Sequence, residues 1–196
     1  MPIPHFADHG ALPPFISGNP TSPETRSPYR TTMDELVERF CTSPDRARLL
    51  KGLNAYRKHL FSGGFLSGYQ WIDGSFVENV EKTRGRSPSD IDVVTLFNRP
   101  LKYQVNGDKW NDDYEALVFG TYFDTRKMKP AYQCDTYSID LDTGSRALIR
   151  NSTYWFGLFS DMRGFGGKKG ILEIPLAVDP MEFAAIDQRL GGKFDV

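Results

Sequence analysis

Cysteine, net charge and long apolar runs are all scarce in this 196-residue chain. Cys41 and Cys134 are the only cysteines, too few and too widely spaced for a disulfide scaffold or a zinc knuckle. Both are therefore expected to be small buried apolar residues. The formal net charge of −1 lacks the basic footprint of a protein that binds long DNA or RNA. Long nucleic acid is accordingly the least favoured partner.

Membrane and export signals are missing as well. No apolar run approaches the roughly 20 residues that span a bilayer, and no basic segment leads into an apolar N-terminal core. We expect a cytoplasmic protein without a membrane partner. The composition, with 39% hydrophobic and 25% charged residues, is globular, and the length suits one core better than two.

Prolines recur through the beginning of the chain and preclude a long helix there. We expect residues 1–31 to form an extended arm that packs partly on the body, with a mobile loop at 17–30. Residues 32–196 are expected to form a single domain. Its first helix should begin at Thr32, where Glu35 completes a capping-box pattern.

The remaining patterns predict an α/β (α+β) fold, a small mixed sheet flanked by helices. A second helix should begin at Ser43-Pro44 and run to about Phe61. Residues 98–112 are expected to form a loop with a short strand at 101–105. The other predicted elements are strands at 65–72, 91–97, 132–139 and 171–176, and helices near 112–123, 145–162 and 181–190.

Two aspartates separated by one residue stand at the head of the most apolar predicted strand. Side chains alternate across a strand, so Asp90 and Asp92 project from one face and can share a cation. Two adjacent carboxylates repel each other unless a cation offsets their charge. The pair is therefore a candidate magnesium site.

Asp135 lies within the next predicted buried strand, where an unpaired charge would be costly. If that strand neighbours the first, this third carboxylate completes a site for two divalent ions about 4 Å apart. Two alternatives stay open. Asp140 or Asp142 could take the third role, although both fall in a predicted turn, or Asp135 could be a structural aspartate paired with a basic residue.

A turn at Gly74-Ser75 precedes these carboxylates. Gly74 lets the backbone approach a phosphate, and Ser75 with neighbouring N–H groups can bind its oxygens if a helix begins there. Lys168 and Lys169 lie in a glycine-rich loop that could fold over a nucleotide, although such charges are commonly just solvated.

Two further groups of residues admit both a binding and a structural interpretation. Three basic residues lie between the predicted strands at 65–72 and 91–97 and could contact a triphosphate or lie solvated on a loop: Lys82, Arg84 and Arg86. An aromatic cluster could stack on a base or belong to the core, as such clusters more often do: Tyr154, Trp155, Phe156 and Phe159.

The run from Trp71 through Asp73-Gly74-Ser75 to Asp90-Ile91-Asp92 resembles the signature of the polymerase-β-like nucleotidyltransferase superfamily. The whole chain is similar to an uncharacterised bacterial family of nucleotidyltransferase-like proteins. Its matching pieces lie at 6–14, 36–40, 73–77, 90–94 and 169–172. A longer separation between Ser75 and Asp90 than in the most compact members is a departure from the pattern.

The resemblance implies a Mg²⁺- or Mn²⁺-dependent transfer of a nucleoside monophosphate from an NTP to an acceptor hydroxyl. Gly74 and Ser75 would hold the triphosphate, Asp90 and Asp92 would bind the metal, and Asp135 would be the third ligand and a candidate base. The acceptor would be a protein, a small molecule or an RNA end. By analogy, a toxin–antitoxin or phage-defence module with a protein partner is expected. The alternative is a catalytically silent module that keeps the fold to bind a nucleotide or a protein.

Overall fold

A computed structural model describes residues 3–16, 19, 21–105, 107–163, 166–177 and 179–194. Five strands form one mixed sheet in the order β1-β5-β2-β3-β4. β2 is antiparallel to β3 and β5, whereas β3 runs parallel to β4 and β1 parallel to β5. The strands are β1 (Tyr29–Arg30), β2 (Gly68–Asp73), β3 (Ile91–Phe97), β4 (Cys134–Asp140) and β5 (Leu172–Pro175).

Helices flank this sheet, so the predicted fold class is confirmed. Among the described residues, no helix is both long and apolar enough to cross a membrane. Short 3-10 segments lie at Pro23–Thr25 and Gly74–Val77, and a π segment at Tyr114–Val118. The helices are α1 (Met33–Phe40), α2 (Pro44–Ser62), α3 (Val80–Arg84), α4 (Leu101–Gln104), α5 (Gly107–Asp113), α6 (Phe119–Tyr122), α7 (Thr125–Tyr132), α8 (Ser145–Ser160) and α9 (Met181–Lys193).

The two faces of the sheet bury separate hydrophobic clusters. Val93 and Phe97 of β3 belong to the larger cluster, beneath α1, α2, α7 and α9. Val94 and Leu96 face the other way, into a smaller cluster that α8 covers with Phe159. β3 is thus buried on both faces, as its apolar run predicts. Cys41 and Cys134 are free and buried, which confirms that prediction.

The predicted start of the first helix is confirmed in atomic detail. The Thr32 hydroxyl accepts a hydrogen bond from the Glu35 backbone N–H at 3.2 Å, and the Glu35 carboxylate accepts one from the Thr32 backbone N–H at 3.0 Å. The second predicted start is also present, because Ser43 caps α2 and Pro44 occupies its first turn.

The prediction for residues 98–112 is wrong. The expected strand at 101–105 is helical, and the helix expected from 112 begins earlier, at Gly107. Tyr103 and Trp110 pack edge to face at 5.1 Å, and Trp110 reaches Phe97 of the core. Burial of these rings therefore overrides a polar sequence with turn residues. Helix α7 was not predicted, because Pro130 lies inside it.

Backbone hydrogen bonds and a short strand tie the N-terminal arm to the body. The Gly10 and Leu12 carbonyls accept hydrogen bonds from the backbone N–H groups of Asn79 and Gly170 at 2.7 and 2.8 Å. The prediction of a mobile loop at 17–30 is wrong at its C-terminal end, because Tyr29 is fully buried in β1. Residues 17, 18 and 20 of that loop, and Gly164 of the predicted glycine-rich loop, lie outside the described residues.

Replacing Thr32 by Ala should lower the free energy of unfolding by about 1 kcal/mol, because the Glu35 N–H loses its acceptor. Urea denaturation measures this change. Thr32→Ser is the matched control, since it keeps the hydroxyl and should retain most of the stability. An equal loss in both variants would contradict the assigned role of the cap.

Candidate functional site

Parallel pairing of β3 and β4 brings three carboxylates together. Asp92 lies opposite Asp135 in the register, and Asp90 immediately precedes β3. One oxygen from each of Asp90, Asp92 and Asp135 lies within 4.8 Å of the other two, and all three residues are half-buried. The sequence therefore predicted this convergence correctly, and the three residues could hold a metal ion.

The alternative third carboxylates lie at the opposite end of β4. Asp140 pairs in register with Phe97 and forms an ion pair with Arg99 at 2.8 Å. Asp142 accepts hydrogen bonds from the Asn98 side chain at 2.8 Å and from the Arg99 backbone at 2.7 Å. Neither carboxylate belongs to the acidic cluster.

The turn after β2 places Gly74 against the acidic cluster. β2 ends at Asp73, opposite Asp92, and the 3-10 segment Gly74–Val77 follows at once. Gly74 has φ +83°, and a Cβ built on it would lie 2.5 Å from Oδ2 of Asp92. Only glycine combines this left-handed backbone with room for the carboxylate.

Arg46 of α2 holds the turn from beneath, and sequence reasoning missed it. Its guanidinium donates to the Phe76 and Glu78 carbonyls at 2.7 and 2.6 Å and pairs with Glu81. The side chain is only 3% exposed. The sequence did indicate that Arg46 is buried, because it lies seven residues before Leu53 and so shares the apolar face of the helix.

Lys169, predicted to bind nucleotide, is buried beside the same turn. Its ammonium lies 3.0 Å from carboxylate oxygens of both Asp73 and Glu78, and 3.4 Å from the Gly74 carbonyl. Burial raises the pKa of Asp73 to about 7 despite the nearby lysine. Burial alone would lower the pKa of Lys169, but the charges of Asp73 and Glu78 more than offset this and raise it. Lys169 thus fixes the turn rather than reaching into solvent.

The other basic residues considered from the sequence have different surroundings. Lys168 is exposed and forms an ion pair with Asp161. Arg84 forms an ion pair with Glu78 at 2.9 Å, and both Arg84 and Arg86 line the cavity around the acidic cluster. Neither Lys168 nor Lys82 contributes to that lining. Arg84 and Arg86 therefore line the cavity, whereas Lys82 and Lys168 do not.

Lys129 of α7 bridges two members of the acidic cluster. Its ammonium lies 2.6 Å from Asp90 and 2.7 Å from Asp135. The hydrogen bond to Asp135, followed by the one to Asp90, raises the pKa of Lys129. The second oxygen of Asp135 accepts a hydrogen bond from Thr125 at 2.8 Å. Sequence reasoning missed Lys129 because it did not predict α7.

This arrangement fits a divalent cation. Carboxylate oxygens are the ligands that Mg²⁺ prefers, and an ammonium already occupies part of the space between them. Burial, followed by the charges of Asp90 and Asp135, raises the pKa of Asp92 to about 6. The cluster therefore carries excess negative charge that Lys129 only partly offsets.

A cavity of about 290 Å³ contains the acidic cluster. Its lining has three chemically distinct parts. Asp90, Asp92 and Asp135 lie with the Gly74-Ser75 turn, beside a basic part and an apolar wall. The basic part includes Arg84, Arg86 and Arg163 together with Lys129 and Lys169, and the wall comprises Tyr137, Trp155, Leu158 and Phe159.

Gly74→Ala should weaken Mn²⁺ binding and destabilise the fold, because the new methyl group would collide with the Asp92 carboxylate. Gly85→Ala is the matched control: Gly85 also has positive φ, +62°, but has no atom near its Cβ position. The control should lose about 1–2 kcal/mol from backbone strain alone. Calorimetric Mn²⁺ titration and urea denaturation separate the effects, and equal behaviour of the variants would argue against the contact.

Lys129→Met should bind Mn²⁺ about tenfold more tightly than the unaltered protein, because the ion no longer has to displace an ammonium. Without metal, the variant should unfold at a lower temperature, since the cluster loses its counter-charge. Lys127→Met is the control, as Lys127 lies on the same helix and donates to the Gly120 carbonyl. Unchanged or weaker Mn²⁺ affinity in Lys129→Met would contradict the competition.

No curated protein and no solved structure matches the chain. A family model described as a family of unknown function, DUF6932, matches residues 4–175, which include the three carboxylates, the Gly74-Ser75 turn and Lys169. The chain therefore belongs to DUF6932, a family of unknown function.

Proposed function

We propose that the protein is a metal-dependent nucleotidyltransferase, which moves a nucleoside monophosphate from an NTP to an acceptor hydroxyl. One observation carries the proposal: Asp90, Asp92 and Asp135 converge within 4.8 Å beside the Gly74-Ser75 turn. The same cavity contains arginines with charge complementary to a triphosphate. The order of these residues along the chain is also that of the superfamily the sequence resembles.

The proposed cofactor is Mg²⁺, or Mn²⁺ in its place, held by the three carboxylates. When bound, it would supply Lewis acidity and orient the phosphate oxygens. Lys129 would leave its bridging position and become free to pair with a phosphate, because Asp90 and Asp135 would then have another partner. The chain contributes mainly fixed charges and fixed geometry.

The transfer itself exchanges one phosphorus–oxygen bond for another. The acceptor oxygen bonds to the α-phosphorus, the bond from that phosphorus to the β-bridging oxygen breaks, and pyrophosphate leaves. By resemblance to the superfamily, Asp135 is the residue we assign to receive the hydroxyl proton, and it lies on the cavity lining. The Gly74-Ser75 turn and the arginines Arg84, Arg86 and Arg163 would bind the negative charge of the triphosphate.

The acceptor class follows from charge and size. A net charge of −1 makes long nucleic acid the least suitable acceptor and leaves a protein, a small molecule or an RNA end. We place the reaction in the bacterial cytoplasm, where NTPs and Mg²⁺ are available. A toxin–antitoxin or phage-defence setting, with a protein partner, is proposed by analogy alone.

The test is transfer of label from α-labelled ATP, CTP, GTP or UTP in the presence of Mg²⁺ and a cell lysate. The unaltered protein should label an acceptor, and Asp92→Asn should reduce labelling at least about a hundredfold. Asp142→Asn is the control, because that carboxylate lies at the far end of β4 and should leave transfer intact.

The other outcomes distinguish the alternatives. NTP binding without transfer would favour a catalytically silent module that keeps the fold. Absence of NTP binding would exclude both nucleotide-based functions. Equal labelling by the unaltered protein and Asp92→Asn would show that the acidic cluster is not the active site.

A further inference from the structure

The apolar wall of the cavity lies beside the acidic cluster and contains the rings of Tyr137 and Trp155. Tyr137 follows Asp135 by two residues on β4, so the two side chains share a face about 7 Å apart along the strand. Trp155 of α8 packs on Tyr137 with ring centroids 4.2 Å apart and an interplanar angle of 35°. Both rings line the cavity.

Packing fixes the position of this wall. Phe159 and Tyr154 meet Trp155 nearly edge-on, at 5.8 and 5.0 Å. Phe159 is 4% exposed and anchors the group in the smaller core, whereas neighbouring Leu158 is 44% exposed and lines the cavity. The wall is thus an immobilised apolar surface, partly open, within a cavity that is otherwise charged. The side chains of the wall would therefore lose little conformational entropy when a ligand binds there.

We propose that Tyr137 and Trp155 bind the base of the nucleoside triphosphate, an inference that rests on the proposed function. The cavity lining combines arginines and carboxylates with aromatic rings, and a nucleotide combines charged phosphates with a ribose and a flat base. A ribose separates the reacting phosphate from the base, so a ring surface a short way along β4 from Asp135 suits the base. Stacking on aromatic rings tolerates any base because every base has a π-face.

The experiment compares ligands with and without a base. Binding of the α,β-methylene analogues of ATP, CTP, GTP and UTP, and of inorganic tripolyphosphate, is measured by calorimetry with Mg²⁺. At least one analogue should bind the unaltered protein about tenfold more tightly than tripolyphosphate. Trp155→Leu should remove that preference while leaving tripolyphosphate binding unchanged, and Trp155→Phe, which keeps a ring, should retain most of it.

Phe156→Leu is the matched control on the same helix. Its ring packs on Trp71 at 6.1 Å and does not line the cavity, so this variant should keep the preference. If Trp155→Leu does not fold, Tyr137→Leu removes the other ring proposed to bind the base and should have the same effect.

Several results would overturn the inference. Tripolyphosphate binding as tight as that of every analogue would show that the base makes no contact. A preference that survives Trp155→Leu, or an equal loss of both ligand types, would exclude stacking on this wall. These results leave the phosphate site and the proposed function standing. Failure of the unaltered protein to bind any of these ligands would remove the proposed function together with the inference.

Discussion

Repulsion among three carboxylates is the constraint on which the rest of the site depends. Asp90, Asp92 and Asp135 present oxygens within 4.8 Å of one another, and two unit charges at 4 Å repel by about 4 kcal/mol at an effective dielectric constant of 20. The burial of β3 and the parallel register with β4 prevent these side chains from moving apart. A positive charge between them is therefore required, and Lys129 supplies it when no other cation does.

Three of the positive charges near the site, on Arg46, Lys169 and Lys129, are of two kinds. Arg46 and Lys169 are almost fully buried and bind backbone or carboxylate oxygens of the turn after β2, so they are fixed parts of the scaffold. Lys129 is about half exposed and can leave. The N-terminal arm adds backbone hydrogen bonds to Asn79 and Gly170, next to α3 and Lys169. A rigid turn thus faces an acidic cluster whose own counter-charge is replaceable.

Patterns among neighbouring residues correctly predicted several helices and strands of the fold. The capping box at Thr32, the apolar run of β3 and the strand that contains Asp135 each depend on neighbouring residues, and the structure confirms them. Contacts between residues far apart in the sequence were not predicted. Tyr103 packs on Trp110 and Trp110 packs on Phe97, and the burial of these rings makes helices of a polar stretch. Lys129 meets its partners only because α7 folds against β4, and Lys169 faces two acidic residues that lie far from it in sequence.

The function proposed for the acidic cluster requires a divalent cation at one place. Anomalous diffraction from crystals soaked in Mn²⁺ locates such an ion directly. We predict a peak bounded by the carboxylates of Asp90, Asp92 and Asp135, with the Lys129 ammonium displaced from its bridging position. No peak there at millimolar Mn²⁺, or Lys129 still bridging Asp90 and Asp135, would contradict the assignment of this cluster as a metal centre.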